Sequence, residues 1–224
     1  FGAAFLVTCA LVCSGQTWIQ LMPTGDLPPR AIGPAVAYNP TSNRLILFGG
    51  GDTGGIDPQP ATAAVRILTN ANGFGGAPVW SQLVVTGGPP PARRAHATTY
   101  DVANNRLIVF GGGATDHIPV PSYNDTWVLT NADGTGGPSQ WIQLLPSGSL
   151  PPPRQAFGAV YDSSSNRLII FGGFQWEPRV FYNDVWVLAN ANGLGGAPQW
   201  IQLAPSGVTP GPRASFGTTY DTAT

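Results

Sequence analysis

The feature that most constrains this chain is that it repeats itself. WIQL at Trp18, WSQL at Trp80, WIQL at Trp141 and WIQL at Trp200 recur at spacings of 62, 61 and 59 residues. NRLILFGG from Asn43, NRLIVFGG from Asn105 and NRLIIFGG from Asn166 keep step, as do Tyr38, Tyr100, Tyr161 and Tyr220. Another marker, NANGFGG from Asn70, NADGTGG from Asn131 and NANGLGG from Asn190, precedes each following Trp by ten residues. So many markers in phase mean that one supersecondary unit is used again and again, each burying its apolar faces against its neighbours.

Each unit reads as four short strands. In the third unit these are Gln155 to Tyr161, rich in small residues; Leu168 to Phe171, closed by Gly172-Gly173; Asp184 to Leu188; and Trp200 to Leu203. Asp-Ser-Ser-Ser-Asn, Asn-Ala-Asn-Gly and a Pro-Ser-Gly…Pro run supply the turns between them. The second strand is apolar on consecutive residues, which implies burial on both faces. Sheets stacked face to face around an axis provide that burial, with the small residues of the first strand in the crowded centre. Helix is disfavoured: Gly (30) and Pro (23) are abundant, charged residues are 9%, Lys is absent and Glu177 is the one Glu,.

These residues resemble the Kelch repeat, the blade of a β-propeller such as the galactose oxidase central domain, here of a bacterial-type secreted kind. The marks are the Gly-Gly doublet, an aromatic on the third strand and a Trp opening the fourth. They stand at Gly111-Gly112/Trp127/Trp141 and at Gly172-Gly173/Trp186/Trp200. The first unit departs, with Thr62-Ala63-Ala64-Val65-Arg66-Ile67-Leu68 where the others read YNDTWVL and YNDVWVL, so a looser blade is expected there. The expected fold is all-β, a partial Kelch-type propeller over residues 17–224. Three four-stranded antiparallel blades span Arg30 to Leu83, Arg93 to Leu144 and Arg154 to Leu203. An isolated fourth strand at Trp18 and an isolated first strand at Ala214 to Tyr220 flank them. Kelch rings commonly have six or seven blades, so the resemblance implies a fragment.

Residues 1–16 open with the apolar run FGAAFLVTCALV, too short to span a bilayer as a helix and matching a signal-peptide core,. A buried strand is the alternative reading. Both cysteines, Cys9 and Cys13, lie in this run, so its cleavage would leave a secreted or periplasmic chain without disulfides,. Net charge is −1, which excludes the electrostatic footprint of nucleic-acid or anionic-membrane binding,.

In an antiparallel meander the loops after strands two and four share one face. Those loops vary between units, whereas the YDxxxNR and NANGxGG turns of the other face are nearly constant, so binding is expected on the variable face. It carries Asp52, Asp57, Asp116, His117, Trp176, Glu177 and Arg179, together with Arg30, Arg93, Arg94, Arg154 and Arg213. The candidate binding set is Arg94, His96, Asp116, His117, Arg154, Trp176, Glu177 and Arg179. Trp176, flanked by both charges, suits sugar stacking or an interface anchor. Against this, Arg154 belongs to a series recurring in every unit, which favours a structural role, and His96 sits where Phe157 and Phe216 do, which favours packing. Asp116-His117 is open to metal or acid–base chemistry, with a solvated loop as the simpler reading.

No phosphate loop, zinc motif or nucleophile elbow appears, and no cofactor is expected. Galactose-oxidase-like copper enzymes need two His, two Tyr and a thioether Cys, and both cysteines here lie in the leader. Asn131-Ala132-Asp133-Gly134 does not match the sialidase turn, and as a calcium loop it lacks the later ligands and the closing Glu. The expected function is therefore a non-enzymatic, secreted module that recognises a protein or glycan through one loop face. The alternative is a carbohydrate-active enzyme with catalytic residues partly in further blades. A polar cluster facing the channel would favour the enzyme.

Overall fold

The computed structural model describes residues 18–51, 60–114 and 121–221, so the leader segment lies outside the described residues. What it describes is all strand, turn and loop. The first sheet contains β1 (Thr24–Gly25), β2 (Ala35–Asn39), β3 (Arg44–Phe48), β4 (Val65–Thr69) and β5 (Val79–Gln82). The second contains β6 (Val85–Thr86), β7 (Ala97–Asp101), β8 (Arg106–Gly113), β9 (Ser122–Thr130) and β10 (Ser139–Leu144). The third blade runs through β11 (Gly158–Asp162) and β12 (Arg167–Phe171), passes a small hairpin of β13 (Phe174–Gln175) and β14 (Val180–Phe181), and finishes with β15 (Val185–Ala189) and β16 (Gln199–Leu203). The four main strands of each blade are consecutive and antiparallel, in the orders β2-β3-β4-β5, β7-β8-β9-β10 and β11-β12-β15-β16.

Two features depart from the sequence expectation. Each outer edge gains a short parallel partner: β1 pairs with β5, β6 pairs with β10, and Ser147 bridges Gln199. The chain leaving the fourth strand of one blade is thus stitched to the fourth strand of the next, which covers an otherwise open edge. The isolated strands expected at the two ends are not formed. Trp18 is fully exposed, and residues 214–221 are irregular. A strand needs a ladder partner, and neither segment has one along its length. Residues 214–221 still lie along blade 3, where Ser215 N–H donates to Ala156 O at 2.8 Å and the Thr218 hydroxyl to Ala159 O at 3.2 Å.

The second strands explain the stacking. In β8, Leu107, Ile108, Val109 and Phe110 are all buried, as their unbroken apolar pattern requires. In β3 the buried positions are Ile46 and Phe48, and in β12 they are Leu168 and Ile170. One core joins Ile46 and Phe48 to Leu107 and Val109, and the other joins Ile108 and Phe110 to Leu168 and Ile170. Each blade therefore offers its second and fourth apolar positions to the next blade and its first and third to the preceding one. Only the middle blade is covered on both sides.

Trp141 and Trp200 are buried, and each packs on an aromatic ring of the preceding blade. Trp141 packs on Phe48 with ring centroids 5.0 Å apart, and Trp200 on Phe110 at 4.8 Å. The Gly-Gly doublet is equally an inter-blade device. Gly50, Gly112 and Gly173 donate their N–H to the carbonyls of Arg93, Arg154 and Arg213 of the following unit, at 2.8, 2.9 and 2.8 Å. A Cβ on Gly49 would stand 2.6 Å from Arg93 O, and its φ of +69° is left-handed, so only glycine fits,.

Candidate functional site

The loops between blades build a collar on the variable face. Ala95 N–H donates to Gly33 O, Ala156 N–H to Ala95 O and Ser215 N–H to Ala156 O, each at 2.8 Å. This makes one hydrogen-bonded chain running from blade to blade. Three of the four residues hold left-handed φ values without being glycine: Ala95 (+50°), Ala156 (+54°) and Ser215 (+59°),. The residues before Gly33, Ala95 and Ala156 are pinned by backbone bridges, Ile32 to Gly51, Arg94 to Gly113 and Gln155 to Phe174. Ile32, Arg94 and Gln155 are thereby equivalent positions, which puts Ala31 in register with Arg93 and Arg154 and leaves Arg30 one residue out of step.

Those pinned positions line a cavity of about 240 Å³ together with Phe174 and Trp176. Two of the expected binding residues, Arg94 and Trp176, thus meet at one site. Trp176 is carried by the β13–β14 hairpin and is 45% exposed. Phe174 stacks on Phe181 at 5.6 Å and meets Trp176 edge-on at 5.8 Å. Arg179 lies 5.5 Å from the ring centroids of both Trp176 and Phe181, within cation–π range,. Glu177 is exposed at the hairpin tip, and its carbonyl accepts a hydrogen bond from Gln175 at 2.7 Å. The hairpin is an exposed aromatic and guanidinium platform at the rim of an apolar cavity. No carboxylate is among the described residues lining it.

The remaining candidates lie elsewhere. Arg154 is wholly buried, and this burial corrects its place among the binding residues. Its guanidinium forks onto Asp184 at 2.6 and 2.8 Å, donates to Gly172 O and Pro152 O, and covers the Tyr182 ring. Trp186 Nε1 completes the carboxylate's partners at 2.7 Å. Arg93, Asp125, Tyr123 and Trp127 repeat the arrangement in blade 2. The recurring arginine is a strut between the collar and the third strand. His96 is also buried, edge-on to Phe48 at 5.1 Å, in the place that Phe157 takes against Phe110. Burial, reinforced by the Arg93 charge, lowers its pKa to about 3, so it packs as a neutral ring,. Asp116 and His117 lie outside the described residues.

Gln155, Ile32 and Phe174 belong to the site but carry no motif. Gln155 is legible only as the residue after the recurring arginine, and attention to the arginine's charge hides it. On the opposite face the constant turns are tied between blades. Asn39 Nδ2 donates to Asp133 at 2.8 Å, Arg44 to Asp133 O at 2.7 Å, Asn192 Nδ2 to Asp101 at 2.7 Å and Arg106 to Asn192 O at 2.9 Å.

Four-stranded antiparallel blades with a Gly-Gly doublet, stacked through the second strand and an outer tryptophan, define Kelch-type propeller blades. The chain belongs to the KLHDC2/KLHL20/DRC7 Kelch-repeats domain family, which matches residues 7–219 and so overlaps the end of the leader segment. It is 38% identical over 109 residues to the dynein alpha chain of the flagellar outer arm of Chlamydomonas reinhardtii, covering 49% of this chain and 2% of that one. It is 31% identical over 141 residues to human host cell factor 1, covering 59% and 6%. The chain thus spans a small part of the length of these relatives. Among solved structures it resembles YjhT with a TM-score of 0.56 at 14% identity, covering 82% of this chain and 54% of that one.

Proposed function

We propose that this Kelch unit is a protein-interaction module that docks its partner on the collar face, with Trp176 as anchor and Arg94 and Arg179 beside it. The observation that carries this reading is the pairing of a half-exposed Trp176, braced by Phe174 and Arg179, with a cavity whose walls are held by backbone bonds. A rigid aromatic at the rim of a preformed pocket is what concentrates binding energy at interfaces. Membership of the Kelch family supports it, as does the relative named as one chain of a larger outer arm. Arg94, Gln155 and Ser215 among the cavity's polar side chains favour binding over hydrolysis, which would call for paired carboxylates,. In the same proposal the module is exported by means of the leader, which N-terminal sequencing of the secreted protein tests.

A photocrosslinking residue at position 176, compared with one at the exposed opposite-face position 74, tests the surface. Adducts with a discrete protein from position 176 alone support the proposal. Equal labelling from position 74 contradicts it, and a glycan array that captures the chain through Trp176 would redirect it to a sugar.

A further inference from the structure

The first blade lacks the buried strut of its sisters, and the lost side chains leave a hole. Ala31 stands where Arg93 and Arg154 do. Thr62 N–H bonds Gly50 O as Tyr182 N–H bonds Gly173 O, so Thr62 replaces the tyrosine. Gly49 N–H bonds Ala64 O as Gly172 N–H bonds Asp184 O, so Ala64 replaces the aspartate. Arg66 pairs with Leu47 as Trp127 pairs with Val109, so Arg66 replaces the tryptophan. In one blade the strut's guanidinium, its carboxylate and both aromatic rings are replaced together, and a cavity of about 330 Å³ lies there, lined by Pro29, Ala31, Leu47, Gly49, Thr62 and Arg66 among others.

The donor that served the missing carboxylate survives in altered form. In blades 2 and 3 the indole N–H of the third strand donates to the aspartate at 2.7 Å. At that position Arg66 now presents a guanidinium whose side chain is 12% exposed. Its Nε is buried without a hydrogen-bond partner. Among the described residues its carboxylate neighbour is Asp26, which stands at 3.7 Å and is half exposed, too far for a hydrogen bond,. Arg30 and Arg66 are the charged residues of the wall, and none of the described residues lining it is acidic.

We propose that this cavity is a binding site for small aromatic monocarboxylates. The ligand's carboxylate takes the place of the absent aspartate against Arg66, and its ring takes the place of the absent tyrosine between Pro29, Leu47 and Thr62. The volume lies in the range of small-molecule pockets, and Arg66, one of the two arginines among the described residues of the wall, supplies the orienting charge,. This cavity shares no described lining residue with the one beside Trp176, although Gly51 of its wall is bridged to Ile32 of the collar.

Calorimetric titration of the 224-residue chain with 4-hydroxyphenylacetate, and with 4-hydroxyphenylacetamide as the uncharged control, tests this. Saturable binding of the acid, roughly tenfold or more tighter than of the amide, is expected from the charge-assisted bonds. Arg66→Gln should weaken it by a similar factor. A chain carrying Ala31→Arg, Thr62→Tyr, Ala64→Asp and Arg66→Trp, which rebuilds the sister strut, should melt higher and show no binding. No saturable heat from the wild type, equal affinity for acid and amide, or undiminished binding by the rebuilt chain would each overturn the proposal. Should Arg66→Gln fail to fold, Ala64→Asp replaces it: a carboxylate placed beside Arg66 should compete with the ligand, and unchanged affinity would refute the site.

Discussion

Asn39 donates its side-chain amide to Asp133 across the interface between blades 1 and 2, at 2.8 Å and between residues 94 apart in sequence. At the next interface the two chemistries change places, with Asn192 donating to Asp101 at 2.7 Å. Each interface holds one amide and one carboxylate, both buried. Two carboxylates there would repel, and two amides would forfeit the charge-assisted bond, so the exchange favours the correct neighbour over a wrong one.

Asn39→Asp should therefore place two carboxylates in contact and cost about 2–3 kcal/mol in denaturant melts at pH 7. The double exchange Asn39→Asp with Asp133→Asn recreates the chemistry of the second interface. It should recover most of the loss, because Asn192 shows that the amide can donate inward while its oxygen accepts from Asn166 at 2.7 Å. Losses that simply add would show that the pair is uncoupled.

His96 should make the fold acid-sensitive from an unusually high pH. Its folded pKa of about 3 lies below the ordinary 6.5, so below pH 6.5 the unfolded chain binds a proton that the folded chain does not,. Stability falls with pH from about 6.5 toward 3, by roughly 1.4 kcal/mol per pH unit at most from this one group. His96→Phe, which copies Phe157, should gain stability at pH 5 relative to pH 8. A pH-independent difference between the two proteins would contradict this.

A second acid limb belongs to the carboxylates. Burial alone would raise the Asp133 pKa, but hydrogen bonds, among them those from Thr135 and Asn105, outweigh it and leave it below the usual carboxylate value. For Asp184, burial is likewise outweighed by the bonds from Arg154 and Trp186. Both contributions are intact above about pH 4 and disappear as the pH drops through the lowered folded values. In thermal melts between pH 5 and 2, Asp133→Asn should flatten the decline.

Trp141→Ala should cost about 3–5 kcal/mol, the range for truncating a buried large aromatic, because the ring fills the space against Phe48 of the preceding blade,. Phe48→Ala should act through the same contact, so the double variant should lose less than the sum. Additive losses would mean that the rings do not share a core.

Much of the architecture is legible in the chain because the repeat exposes its own requirements. The unbroken LIVF of β8 announces burial on two faces, and the Gly-Gly doublet announces a close approach. What crosses between blades is not legible. Nothing local tells Trp141 that it meets Phe48, or Asn39 that it meets Asp133. The two-residue parallel pairs β1 and β6 carry no period to read. At the site, Trp176 and Arg94 stand out by residue type, while Gln155 and Phe174 are recruited by backbone bridges that any residue can make. Arg154 and Arg94 look alike in sequence, and register alone separates the buried strut from the partly exposed wall.

The most direct test of the interaction surface compares Trp176→Ala with the wild type in partner retention and in melting temperature. Retention should be lost while the melting temperature changes little, since a half-exposed ring on the small β13–β14 hairpin contributes little to the blade cores,. Retention that survives, or a chain that unfolds, would show that Trp176 braces its own loop and that the binding surface lies elsewhere.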